Sequence, residues 1–363
     1  MGGRWVVVAG HAATRRASVV NFMYHSFFLW LAFLLVVLPL LGVLYQRWGA
    51  RRDARRYPPR GGLYRVAGET LHLHAMGSGA PTVVLEAGIS ASSLSWMLVQ
   101  PAIAQFARVV SYDRAGLGWS EAGAAPCTPS RLAATLHELL QASGHAGPYI
   151  LVGHSFGALI VRTFAARFPH ETAGLVLVDP FRPEEWWPAT DGQRAMVRHG
   201  VRLARRGQRL ATLGVVRGSL GLLAGGRHLV PRLMNRLSAG RGAGIAERLT
   251  GEIRKLPREV WPVIASHWSH PKAFQAMAQH LEDLPSSVEE MAAVPPLHGV
   301  PTQLLLAGRG RGMHPSPAAY AARLGPQVTL TVAQGSGHWI QLDEPELVVA
   351  AVRALISRPL TPL

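Results

Sequence analysis

The pentapeptide Gly153-His154-Ser155-Phe156-Gly157 holds the first group in this chain that could do covalent chemistry. A serine hydroxyl is a weak nucleophile unless a base takes its proton and the backbone holds it outward. Small residues at 153 and 157 permit the crowded turn that holds it so, with the central serine in strained backbone geometry. The apolar run 149–152 before the turn suits a buried strand, and residues 158–168 after it have the length and residue types of a helix. Strand, sharp turn and helix make a nucleophile elbow, with Ser155 as the candidate nucleophile. Without those flanks, a serine between glycines would mark only a turn.

The base needs an imidazole on a segment able to reach the elbow, itself oriented by a partner that fixes its tautomer. His338, in the flexible segment Gly335-Ser336-Gly337-His338-Trp339 after the last strand, meets that need. His154 lies in the elbow itself and is expected to pack rather than react. His72 and His74 share one face of a strand, and two such residues without a third ligand read as a solvated face, not a metal site. One cysteine, Cys127, excludes an internal disulfide framework and a cysteine-based metal cluster.

These residues must be carried by a larger frame. Strand-like segments at 63–66, 70–76, 82–85, 109–112, 149–152 and 174–178 alternate, after the first hairpin, with helical patterns such as 129–142. That alternation predicts an α/β fold with a mostly parallel central sheet and helices on both faces. Between residues 181 and 300 the pattern changes to successive helices without a clear strand, which predicts a helical lid inserted between two sheet strands. Alternation returns with strand 302–307, helix 315–324, strand 328–332 and helix 345–356. The expected division is therefore a tail, anchor and basic linker over 1–60, a core over 61–180 and 301–363, and a lid over 181–300. The Gly-Arg-rich pieces 240–244 and 308–312 read as loops.

Residues 27–45 form a run of 19 without a strongly polar residue. At about 1.5 Å per helical residue it nearly matches a hydrocarbon core of about 30 Å, which predicts one transmembrane helix. Pro39 is tolerable there, and Trp30 and Tyr45 suit the interfaces. Arg47, Arg51, Arg52, Arg55, Arg56 and Arg60 follow the run, against Arg4, Arg15 and Arg16 before it. The positive-inside rule then places the body on the cytoplasmic side of a single-pass membrane protein. The net charge of +16 is unevenly spread: residues 1–60 hold nine basic residues and one acid. With half the excess in the tail and no zinc finger, RNP signature or P-loop, a nucleic-acid partner is not expected.

Four blocks resemble the α/β-hydrolase superfamily, in the order that superfamily uses: Ser111 to Ser120 (SYDRAGLGWS), the elbow, Leu175-Val176-Leu177-Val178-Asp179-Pro180, and Gly335 to Trp339. The resemblance covers about residues 60–363 and implies an α/β-hydrolase fold with a serine, acid, histidine triad, of which His338 is the base. Many relatives carry the acid after the penultimate strand, but residues 307–315 contain no carboxylate. Asp179, at the other position used in the superfamily, is then the expected acid, with Glu184, Glu185 and Asp343 as fallbacks. The backbone N–H of Phe156, the residue after the nucleophile, is expected to stabilise the oxyanion. The resemblance implies a second donor at Ile89, although this chain has Ala87-Gly88 where many relatives have His-Gly. Asp113 and Arg114 are implied to be structural. No metal or organic cofactor is implied.

Residues 192–246 contain 11 arginines and no acid. Arg194, Arg198, Arg202, Arg205 and Arg209 recur at three and four, predicting one basic helix side, with Met196, Leu203 and Leu210 roughly opposite and Gly200 and Gly207 weakening the helix. Such a lid could touch anionic lipid or simply be solvated. Trp186 and Trp187 suggest a lid that favours an apolar acyl group. The expected protein is a membrane-anchored serine hydrolase acting on an ester, or related acyl bond, of a small-molecule or lipid-like substrate. The alternative is a catalytically silent relative that binds a ligand or partner at the membrane.

Overall fold

The apolar run before the elbow becomes a central strand of an eight-stranded sheet, and the run after it becomes a helix. The computed structural model describes residues 21–123, 126–224, 254–297, 299–309 and 316–358. Its strands are β1 (Gly62–Val66), β2 (Glu69–Met76), β3 (Thr82–Glu86), β4 (Val109–Tyr112), β5 (Tyr149–His154), β6 (Thr172–Val178), β7 (Thr302–Ala307) and β8 (Val328–Ala333). Their spatial order is β1-β2-β4-β3-β5-β6-β7-β8. β2 pairs antiparallel with β1 and β4, and every other pairing is parallel. The site therefore lies at the carboxyl ends of central parallel strands, where loops from several strands converge.

The longer helices are α1 (Asn21–Arg56), α2 (Pro129–Ala142), α3 (Gly157–Arg167), α4 (Asp191–Thr212), α5 (Val215–Ala224), α6 (Trp261–Trp268), α7 (Pro271–Glu282), α8 (Leu284–Ala292), α9 (Pro317–Leu324) and α10 (Pro345–Ile356). Leu136 of α2, Leu159 of α3 and Tyr320 of α9 belong to one buried cluster with Val84, Leu151 and Leu304. Val348 and Val352 of α10 share a second with Val83, Ile150 and Val176. Neighbouring strand residues thus face opposite clusters, which is why these strands are apolar without alternation. Helices α4 to α8 lie in sequence between β6 and β7, as the helical stretch 181–300 predicts.

The helix that holds the apolar run extends beyond it, since α1 continues through the basic residues of the linker to Arg56. Its alanine and arginine residues favour helix, and the first strong breaker is Pro58. Pro39 is accommodated by a π-helical segment, Phe33–Val37, closed by the Leu38 N–H donating to the Phe33 carbonyl. α1 is long and apolar enough to cross a membrane, and its most apolar window is unburied.

α4 packs through its small residues and not through the larger apolar ones opposite its arginines. Met196, Leu203 and Leu210 are exposed, whereas Ala204 and Ala211 are buried. A Cβ at Gly207 would lie 2.4 Å from the Phe274 ring, and one at Gly200 would lie 3.1 Å from Leu281. The two glycines therefore let α4 and α7 approach closely, and a small-residue stripe is the packing face. The helix begins with a capping box in which Thr190 and Gln193 satisfy each other's backbone groups. The glycines at 240–244, and 310–312 of the second glycine-rich piece, lie outside the described residues.

Candidate active site

Ser155 sits between β5 and α3 with φ at +52°, a conformation rare for a residue with a side chain. The strain is held by its neighbours: the Ser155 N–H donates to the Val178 carbonyl at 3.0 Å, and the Ser155 carbonyl accepts from the Phe181 N–H at 3.1 Å. Both elbow glycines are sterically required. A Cβ at 153 would lie 2.7 Å from the Ala158 Cα, and one at 157 would lie 2.6 Å from the Glu86 carbonyl oxygen.

Asp179 is the first residue beyond β6, also left-handed with φ at +37°. Its N–H donates to the Leu305 carbonyl at 2.8 Å, and its Oδ1 accepts from the Ala307 N–H at 3.2 Å. The buried Asp179 Oδ2 lies 2.6 Å from Nδ1 of His338, whose own side chain is 37% exposed. A carboxylate can only accept, so the His338 nitrogen facing Asp179 is the one that carries a proton. The other candidate acids lie away from the His338 ring nitrogen. Glu184 and Glu185 lie on the exposed turn Pro183–Trp186, Glu185 pairing with Arg182 at 3.2 Å. Asp343 receives the Gly337 N–H at 2.9 Å and pairs with Lys255 at 2.5 Å. Burial opposes its charge, but the Lys255 ammonium and the Gly337 N–H hold its carboxyl below the usual range. Asp343 thereby clamps the loop that carries His338.

The Ile89 loop lies directly against the elbow: a Cβ at Gly88 would be 3.3 Å from the Ser155 Cβ. Ile89 is half-buried and is followed by Ser90 with φ at +59°. Neither the Ile89 nor the Phe156 N–H donates a hydrogen bond to another described residue. Arg114 staples this loop, donating to the Ala87 carbonyl at 2.6 Å and the Gly88 carbonyl at 2.5 Å while it pairs with Glu86. Burial raises the Glu86 carboxyl above its usual range even with Arg114 and Tyr112 bonded to it. Asp113 accepts from the Ser93 and Trp119 N–H groups and contacts His72 Nδ1 at 2.9 Å. His72 is thus buried against a carboxylate, and the solvated face expected for it is not found.

One positioning contact has no clear signal in the sequence. The His154 Nε2 lies 2.8 Å from the carbonyl oxygen of His338, and the two rings are 4.7 Å apart. Burial, with the His338 imidazole adding to it, pushes the His154 pKa down to about 3. The ring is neutral, and its Nε2–H holds the backbone of the candidate base. Arg114 and Asp343 were at least marked by charge near the motifs; their bonding partners required the fold.

Beside the site is an apolar cavity of about 180 Å³, lined in part by Ile89, Leu256, Phe274, Met277, Trp268 and Trp339. Ile89 and Trp339 connect it to the serine and histidine loops. Trp186 and Trp187 do not line it; they border a separate surface groove between α4 and α8. No group of three or more metal-ligating side chains occurs among the described residues.

Comparison with known proteins gives the family. The Uncharacterized protein YqjL of Bacillus subtilis is 36% identical over 118 residues, covering 32% of this chain and 47% of that protein. A Putative carbamate hydrolase RutD of Klebsiella pneumoniae is 39% identical over 103 residues, covering 28% of this chain and 38% of that one. The match thus spans less than half the length of each of these relatives. The solved epoxide hydrolase CorEH superposes with a TM-score of 0.60 at 17% identity, covering 82% of this chain and 98% of that one, a likeness of fold alone. A family model described as alpha/beta hydrolase fold matches residues 81–345, so the chain belongs to the α/β-hydrolase family.

Proposed function

We propose that this protein is a membrane-anchored serine hydrolase that cleaves an ester, or related acyl bond, of an apolar or amphiphilic substrate. The observation that carries this reading is the 2.6 Å contact between Asp179 and His338, beside a serine held on a strained elbow. Ser155 Oγ attacks the acyl carbon as His338 Nε2 takes its proton, and Asp179 stabilises the resulting imidazolium through Nδ1–H. The oxyanion accepts from the Phe156 and Ile89 N–H groups. His338 then protonates the leaving group, an acyl-enzyme remains on Ser155, and a water activated by the same imidazole releases the acid. Ser155 Oγ makes no hydrogen bond to His338 in the free protein; such contacts commonly tighten when substrate binds. The name of one relative, a Putative carbamate hydrolase, is in keeping with hydrolysis of an acyl bond.

The cavity walls support an apolar acyl group, and the helices between β6 and β7 serve as the lid over it. The unburied apolar stretch of α1 supports anchoring, and the arginines after it support a cytoplasmic body. The experiment is labelling by a fluorophosphonate probe. Labelling of the native protein and none of Ser155→Ala is expected; equal labelling of the two, or of neither, contradicts the serine mechanism.

A further inference from the structure

We infer that the corner between α4 and α5 is a second membrane contact, dipping into the same leaflet as the end of the apolar stretch of α1. This rests on the reading of α1 as a membrane anchor and adds to it.

The corner is fixed to α1 rather than free. A Cβ at Gly42 would lie 2.4 Å from the Leu213 carbonyl oxygen, and one at Gly214 would lie 2.8 Å from the Gly42 carbonyl oxygen. Gly214 has φ at +72°, so the turn itself needs a glycine. One helical turn further along α1, the buried Gln46 accepts from Arg217 Nε at 3.0 Å and donates to the Ser269 carbonyl at 3.1 Å. Arg217 also pairs with Asp53, the only acid in the first 60 residues. Gly49 lies against the same arginine side chain. Two backbones in contact and a largely buried ion pair hold the corner at one height on α1.

That height is the end of the apolar run. Gly42 precedes Tyr45 by three residues, about 4.5 Å along the helix on the hydrocarbon side. Beside this contact the corner exposes apolar side chains, Leu210 at 45%, Leu213 at 36% and Val215 at 48%, and Leu222, further along α5, is 47% exposed. Val215 and Leu222 are seven apart and share one side of α5. Arg206 and Arg209 stand one turn before Leu210 and Leu213, exposed and without a carboxylate partner among the described residues. Apolar tips backed by arginines at the next turn match the boundary between acyl chains and anionic headgroups. Water would meet these leucines at a cost; a leaflet already crossed by α1 would cover them.

The test uses the full chain in vesicles of phosphatidylcholine with phosphatidylglycerol. An environment-sensitive fluorophore is placed through Leu213→Cys, Leu222→Cys, Leu35→Cys or His170→Cys, and quenching by lipids spin-labelled at shallow or deep positions is recorded. Burial, with Asp283 beside it, pushes the thiol of Cys127 up to about 11, so the native cysteine stays largely unreactive at neutral pH. Labels at 213 and 222 are expected to be quenched by the shallow lipid several-fold more than the label at 170, and the label at 35 by the deep lipid. Quenching at 35 with none at 213 and 222 overturns the inference and leaves the anchor standing. No quenching at any position overturns both. Cross-linking between copies through 213 or 222, without quenching there, assigns the corner to self-association and also overturns it.

Discussion

The strand ends that carry the candidate site and the helices inserted between β6 and β7 are held in place by different means. At the strand ends, backbone geometry fixes the side chains: Ser155 and Asp179 are both left-handed, and each is clamped by hydrogen bonds to neighbouring chain segments. Among the inserted helices, α4 rests on α7 through a stripe of small residues, with its leucines turned outward. The first arrangement tolerates almost no added atom. The second tolerates much on its outer face and little on its inner one.

Substitutions can break that contrast. Gly157→Val should cost about 3 kcal/mol or more in urea unfolding, because its side chain would meet the carbonyls of Glu86 and Ala87 at the elbow. A loss under about 1 kcal/mol would mean that the elbow can relax. Gly207→Leu should cost about 1–3 kcal/mol by overpacking the Phe274 contact, with fluorophosphonate labelling of Ser155 within about tenfold of the native rate. Collapse of labelling in that variant would show that site and helical layer are not separable.

Acid should destabilise both regions. His154 in the site and His280 in α7 have pKa values pushed down to about 3, and His267 in α6 to about 4, each chiefly by burial. The unfolded chain takes up these protons near 6.5. The stability they contribute is therefore full above about pH 6.5 and falls as pH drops toward the folded values. At a pH one unit below 6.5 each should cost on the order of 1 kcal/mol, so unfolding at pH 5.5 should need less urea than at pH 7.5. Equal midpoints would show that these rings are not held neutral. The smallest effect is expected at Leu203→Gln, within about 0.5 kcal/mol because that side chain faces outward. A loss above about 2 kcal/mol would put Leu203 on the packing face.

The same contrast explains what the sequence could disclose. The strand-turn-helix at Ser155 was legible because its constraint is local: glycines at fixed offsets and an apolar run. Strand β7 and helices α2 and α10 have the expected bounds for the same reason. Asp179 was harder, because its partner stands 159 residues away and only the order of strands joins them. The packing face of α4 is not legible in the sequence, because nothing local says that its glycines and alanines, and not its larger apolar residues, will meet α7. The clamp of Asp343 on the histidine loop depends on Lys255, from a segment distant in the chain.

Among the described residues Asp179 is the acid that meets the His338 ring, and its removal should disable Ser155. The most direct test compares fluorophosphonate labelling rates of the native protein, Asp179→Asn and Asp343→Asn, with mass mapping of the adduct to Ser155. Asp179→Asn should slow labelling by about a thousandfold or more, since the asparagine favours the wrong imidazole tautomer, while Asp343→Asn should slow it by less than about tenfold. A near-native rate for Asp179→Asn, with the large loss falling on Asp343→Asn, would contradict the account.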